Sequence, residues 1–180
     1  MILSNWHVLS GVYGYPGESI LQPGRLDGGM QADQVAVLAR DAMASNIDAA
    51  VATLGDERPV VNAPLGLEPV AGLGTAQLGM TVTKSGRTSA VTRGVVAGVE
   101  GTQRTYYAGV GYRVIRNVIS ISPGDAELSL PGDSGAWWID AGTNNVVGLH
   151  FAGNQLGQPE EALAIDIAPV LDALRVDLDL

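Results

Sequence analysis

Short apolar runs, each closed off by Gly, Pro, Asn or Asp, recur along almost the whole chain. Runs of this kind fit strands better than helices, which need about ten or more residues with a 3.6-residue period. Residues 34–38 and 49–54 are two of them. Residues 81–84, 88–99, 112–121, 136–139, 146–151 and 162–165 follow in the second half. Met1-Ile2-Leu3-Ser4 has the pattern of the end of a strand already under way. Periodicity leaves one alternative open, a short helix over residues 35–44. Residues 10–29 are predicted to be a loop, because Gln22-Pro23-Gly24 and Asp27-Gly28-Gly29 are strong turn signals. Residues 66–79, rich in Gly, Pro and Ala, are the candidate linker between two lobes. Asn144-Asn145 marks a hairpin turn. The tail breaks the pattern: Asp166 can cap a helix in which Ile167, Val170, Leu171 and Leu174 share one face. Many strands and one terminal helix are therefore expected.

Composition agrees with this. Apolar residues make up 46% of the 180 and charged residues 16%, which is globular rather than disordered. The 24 Gly and 9 Pro supply the tight turns that an all-β fold needs. The net charge of -9 provides no basic stripe to displace counterions, so nucleic acid is not an expected partner. No apolar run approaches a membrane span. Cysteine is absent, which excludes disulfides and a thiolate nucleophile and fits a bacterial or intracellular origin. No leader with a basic start and an apolar stretch is visible, so a cytoplasmic location is favoured. Two isolated histidines without a ligand-spaced cluster make a poor metal site, and no metal or cofactor is expected.

The most specific chemistry lies in Gly132-Asp133-Ser134-Gly135. Acyl transfer by serine needs an exposed hydroxyl on a tight turn, with backbone N–H groups aimed at the developing oxyanion. Taken alone, Pro-Gly-Asp-Ser-Gly is also good surface-turn chemistry. His7 ends an apolar segment and can serve as general base. Asp48 opens a strongly apolar run, an expensive place for a carboxylate unless something such as a histidine N–H pairs with it. Each of the three has a plain structural reading by itself. Their order, His7, Asp48, Ser134, matches one known arrangement of a serine triad and excludes the orders of the subtilisins and the α/β-hydrolases.

On these residues the chain resembles the trypsin-like, chymotrypsin-fold serine peptidases of bacterial type, over nearly its whole length. Ser4-Asn5-Trp6-His7-Val8-Leu9 is similar to the segment carrying the base, Ile47-Asp48-Ala49-Ala50-Val51 to the aspartate segment, and Leu130-Pro131-Gly132-Asp133-Ser134-Gly135 to the nucleophile loop. Lys84 to Thr88 and Thr92 to Val96 resemble the paired strands that open the second barrel. The loop at residues 22–29 is more loosely similar to relatives of the plant narrow-leaf peptidases. The resemblance implies an all-β fold of two antiparallel six-stranded barrels with the site between them. Residues 1–70 would form a first lobe carrying His7 and Asp48, residues 71–165 a second lobe carrying Ser134, and residues 166–180 a C-terminal helix. It also implies an oxyanion hole from the amides of Gly132 and Ser134 and a substrate cleft along the strand that includes Phe151, Ala152 and Gly153. Gly148 to Gly153 resembles the strand of glutamate-specific bacterial peptidases that presents a histidine to the substrate's acidic side chain. Here that residue is His150, with a hydroxyl five residues before the nucleophile at Ser129.

One departure accompanies the resemblance. Family members have strands ahead of the histidine segment, so the first barrel is expected to be missing its N-terminal strands, which an upstream segment or a partner would supply. Pairing of a newly cut N-terminus with Asp133 looks unavailable, and Asp133 then needs another partner or stays solvated. The implied activity is peptide-bond hydrolysis on a polypeptide substrate. The alternatives are a peptide-binding module that keeps the fold without turnover, and a serine esterase using the same residues.

Overall fold

The computed structural model describes residues 1–55, 60–61, 63–124, 127–153 and 160–179. The first four strands are β1 (Ile2–Ser4), β2 (Ser19–Leu21), β3 (Gln34–Asp41) and β4 (Ala50–Leu54), in the antiparallel order β1-β4-β3-β2. Residues 34–41 pair on both edges, so the helical alternative over 35–44 is not adopted. In β3, Ala36 and Leu38 alternate inward, while β4 buries Ala50, Val51 and Ala52 in succession. A single helical turn, α1 (Trp6–Leu9), follows β1. Among the described residues this sheet stays open, and an apolar groove of about 430 Å³ lies beside it, lined by Ile2, Ile20, Leu21, Val35, Leu54 and Val61 among others.

The second sheet closes. Its strands are β5 (Gly72–Leu73), β6 (Thr81–Gly86), β7 (Ala90–Tyr107), β8 (Gly111–Pro123), β9 (Trp137–Asp140), β10 (Asn145–Gly153) and β11 (Ala162–Asp166). β6 pairs with β7, β7 with β8, β8 with β11, β11 with β10, β10 with β9, and β9 again with β6. Six strands thus form a barrel, with β5 added in parallel to the start of β10. The β7–β8 hairpin runs well beyond the strand predicted at residues 88–99. Register shifts around Gly98 and Gly101, with Glu100 in the left-handed region, bend it out of the barrel. The polar segment that follows, Thr102 to Tyr107, projects as a long two-stranded arm.

Two apolar clusters hold the molecule together. One fills the barrel around Val82, Ile119, Ile121, Leu128 and Trp138. The other joins both sheets, packing Trp6, Met43 and Val51 with Ile115, Leu149 and the C-terminal helix α2 (Ile167–Leu174). Asp166 caps that helix, accepting from the Ala168 amide at 3.1 Å, and Ile167, Val170, Leu171 and Leu174 are its buried face. At the other end Arg40 of β3 donates to the carbonyls of Leu174 (2.6 Å) and Arg175 (3.1 Å). A cation there satisfies carbonyls that the helix leaves unpaired and suits its negative end.

Candidate active site

The end of β1 and the turn of α1 deliver His7, while a 3-10 turn (Met43–Ser45) and left-handed Asn46 swing the chain so that Asp48, two residues before β4, is turned inward. Asp48 is fully buried. Its Oδ2 lies 2.6 Å from His7 Nδ1, and its Oδ1 accepts from the His7 amide at 3.1 Å. A carboxylate accepts only, so Nδ1 carries a proton, and in the neutral ring Nε2 keeps its lone pair. Tyr107, arriving on the hairpin arm, donates its hydroxyl to Oδ2 at 3.0 Å. Asn5 braces the same segment from behind, donating to the Asp48 carbonyl at 2.8 Å. The His7 side chain is one third exposed (32%), so a base of fixed tautomer faces the surface above a buried acceptor.

The loop that carries Ser134 is built just as locally. Asp133 donates its amide to the Leu130 carbonyl at 3.1 Å, closing a turn with Pro131 second and Gly132 third. Gly132 has φ +105°, which the third position of a type II turn requires and which a side chain resists. The Thr88 hydroxyl donates to the Pro131 carbonyl at 2.9 Å. The carbonyl and N–H of one peptide point in opposite directions. By holding the carbonyl, Thr88 therefore turns the Gly132 N–H to the other side. Neither the Gly132 nor the Ser134 amide donates to a carbonyl among the described residues, so both remain for an anion. Gly135 (φ +91°) then passes so close to β1 that a Cβ would lie 2.1 Å from Ser4 Oγ. That contact seats the loop against the strand leading to His7.

Beneath the loop, Asp133 has the partner it needs. Its carboxylate accepts from Lys84 Nζ (2.9 Å), the Ser89 hydroxyl (2.5 Å) and the amides of Thr88 (2.9 Å), Ser89 (3.1 Å) and Leu130 (3.0 Å). Both charged side chains are fully buried, and Lys84 also bonds Ser89 and lies over the Trp138 ring. Burial pushes the Asp133 carboxyl up, but the bonds from Ser89, Leu130 and Lys84 outweigh it and hold the group far below the usual carboxylate range.

Ser134 is half-buried on this loop. The side-chain hydrogen bond of His7 goes to Asp48, and none joins it to Ser134 among the described residues. Such bonds are often loose before substrate binds. The structure thus brings His7 and Asp48 into direct contact and seats Ser134 beside their strand. The predicted substrate residues separate into two groups. Ser129 Oγ faces Gly153, being 3.3 Å from where a Cβ on that glycine would lie. Ala152 is half-buried and Gly153 exposed. His150 and Phe151 lie deeper, at 3% and 5% exposure, and Phe151 packs in the shared core. The Trp138 indole N–H points to His150 Nδ1 at 3.4 Å. Burial, with Lys84 adding to it, lowers the His150 imidazole to about 4. Glu160 accepts from the Leu128 and Ser129 amides behind this region.

No protein-family model and no curated protein sequence matches the chain. Solved structures do. A Cellulomonas bogoriensis chymotrypsin superimposes with a TM-score of 0.69 at 19% identity, covering 98% of this chain and 84% of that one. A structure described as a glutamic acid specific serine protease that uses a histidine triad in substrate binding gives 0.71 at 20%, covering 98% and 85%. A Nocardiopsis protease gives 0.70 at 19%, covering 99% and 84%. The fold is the chymotrypsin fold. Within it, His7 follows β1, Asp48 precedes β4, and Ser134 lies on the loop before β9 of the barrel. Five residues placed around this chymotrypsin-fold site were not predicted: Asn5, Lys84, Thr88, Ser89 and Tyr107. Lys84 alone left a signal. It shares the inward parity of Val82 in an alternating strand, where a lysine must find an acid.

Proposed function

We propose that the chain is a serine endopeptidase working through an acyl-enzyme. Residues 1–70 supply the base and its orienting carboxylate, and residues 71–165 supply the nucleophile. Ser134 Oγ attacks the scissile carbonyl as His7 Nε2 takes its proton, and His7 then passes that proton to the leaving amine. Asp48 holds the Nδ1 proton and faces the imidazolium that forms. The Gly132 and Ser134 amides receive the oxyanion. The observation that carries this reading is the 2.6 Å bond between His7 Nδ1 and the fully buried Asp48. A buried carboxylate with no lysine or arginine beside it among the described residues is costly, and it is useful where a positive charge forms on the imidazole during reaction. Active-site titration with a fluorophosphonate tests it. Stoichiometric labelling that disappears in Ser134→Ala supports the reading, and labelling retained in that variant removes Ser134 as nucleophile.

We infer further that the cleavage position takes an acidic side chain. A neutral His150 whose Nδ1 is occupied by Trp138 keeps an N–H on Nε2, and the Ser129 hydroxyl stands on the neighbouring loop. A carboxylate can accept from both. Peptides with Glu at the cleavage position should be cut at least about 10-fold faster than those with Gln, and equal rates would sink the assignment. A second reading, peptide binding without turnover, draws support from the missing hydrogen bond between Ser134 and His7. It predicts peptide affinity unchanged by Ser134→Ala and no cleavage by either protein.

A further inference from the structure

The Asp48 carboxylate is held from three directions, and one of them belongs to the other lobe. Two bonds come from His7, from its own amide and its ring. The third comes from Tyr107, the last residue of β7, at the far end of an arm that leaves the barrel. The arm is stiffened for this reach. On its outer side Tyr106 and Tyr112 meet edge to face at 5.3 Å, and the Arg104 guanidinium lies 3.8 Å from the Tyr112 ring centre. Its tip touches the first lobe, since a Cβ on Gly109 would lie 2.6 Å from a Val12 methyl. Tyr107 is buried, with its ring edge-on to Trp6 at 5.8 Å and tilted 6.4 Å from that of His7. Burial and the adjacent Asp48 carboxylate push its phenol far up, so it remains a donor at every working pH.

We propose that Tyr107 is a positioning residue for His7, acting through Asp48: its hydroxyl, delivered across the lobes, fixes the carboxylate in the orientation that keeps the His7 Nδ1 proton in place. A neutral donor suits the task. It orders the carboxylate and takes a share of its charge without cancelling it, whereas a lysine there would remove the negative charge that an imidazolium needs. The inference rests on the peptidase reading for its consequence in rate, but the geometry is independent of turnover.

Tyr107→Phe tests it, because the ring that packs on Trp6 is kept. The expected result is a fall of about 10- to 100-fold in kcat with KM within about twofold. With the hydroxyl gone, the charge of Asp48 concentrates on its bond to His7 and favours the protonated imidazole. The acid limb of the rate profile and the NMR midpoint of the His7 ring should both move up by about half a pH unit to one. Among the described residues, the titratable groups near His7 are Asp48, Tyr107 and, from β10, His150, whose ring signals are followed in the same spectra. In an Asp48→Asn background the Tyr107 change should cost nothing more in rate. Replacing Tyr107 by 3-fluorotyrosine preserves the fold and strengthens the donor, and the His7 midpoint should then move down. An unmoved midpoint in both variants overturns the proposal, as does an unchanged kcat in Tyr107→Phe while the parent labels at Ser134. If the parent does not label at Ser134, the peptidase reading falls. The His7 titration in a Ser134→Ala background still decides the role of Tyr107.

Discussion

Asp48 and Asp133 are both buried aspartates, one in each lobe, and their surroundings differ in kind. Asp133 is saturated: a buried lysine, a hydroxyl and three amides converge on it, and it braces the turn that presents Ser134. Asp48 has a histidine and a phenol and, among the described residues, no lysine or arginine. The first carboxylate has its counter-charge permanently. On the proposed mechanism, the counter-charge of the second arises on His7 when a proton moves. A structural anion and a working one are thus told apart by which neighbours can change charge, since burial is the same for both.

The comparison can be broken at either end. Asp48→Asn keeps the shape and removes the charge, and should lower kcat by about 10⁴-fold while leaving the melting temperature near that of the parent. A loss below tenfold would deny Asp48 its working role. Lys84→Met should do the reverse, acting first on stability. An uncompensated Asp133 in the interior should cost about 3–5 kcal/mol in urea unfolding, and Lys84→Met with Asp133→Asn should recover part of it. If the single change is neutral, the pair is not a brace. Thr88→Val removes the bond that turns the Pro131–Gly132 peptide and should lower kcat by about 10-fold with KM unchanged. An unaltered kcat would show that the turn holds itself. The smallest effect is in pH dependence. Asp133 is depressed in the folded protein, so its contribution is fully present above the unfolded carboxyl value of about 4. It is lost as pH falls toward the folded value. Thermal melts from neutral pH to about 2 should show a decline in the parent that is shallower in Asp133→Asn.

Much of this was legible from local pattern. Turn signals and short apolar runs located the strands of the barrel because each carries its own alternation, and Asp166 announced the terminal helix. The turn that carries Ser134 could be read because it needs Gly132 and Gly135 where they stand. What escaped is non-local. β2 lay inside a stretch whose turn residues dominate, and its pairing with β3 is what makes it a strand. The end of β7 escaped because Gly98, Glu100 and Gly101 interrupt the alternation where the strand bends away. Tyr107 went unnoticed for the same reason, as nothing in Tyr106-Tyr107 says that the arm will meet Asp48. Asp133 was expected to find another partner or stay solvated, and the pairing of β6 with β7 supplies Lys84 and Ser89 together.

The bonds of Arg40 to Leu174 and Arg175 have a consequence for the order in which the molecule is assembled. They join residues 134 and 135 positions apart, and the cluster shared by the sheets includes Trp6 as well as Leu174. The segment carrying His7 therefore cannot finish packing until almost the last of these residues has emerged from the ribosome. Contacts so distant in sequence also slow the final closure. On the peptidase reading, a nascent chain would hold His7 and Ser134 for some time before it holds them in register, and it would stay inactive during that interval.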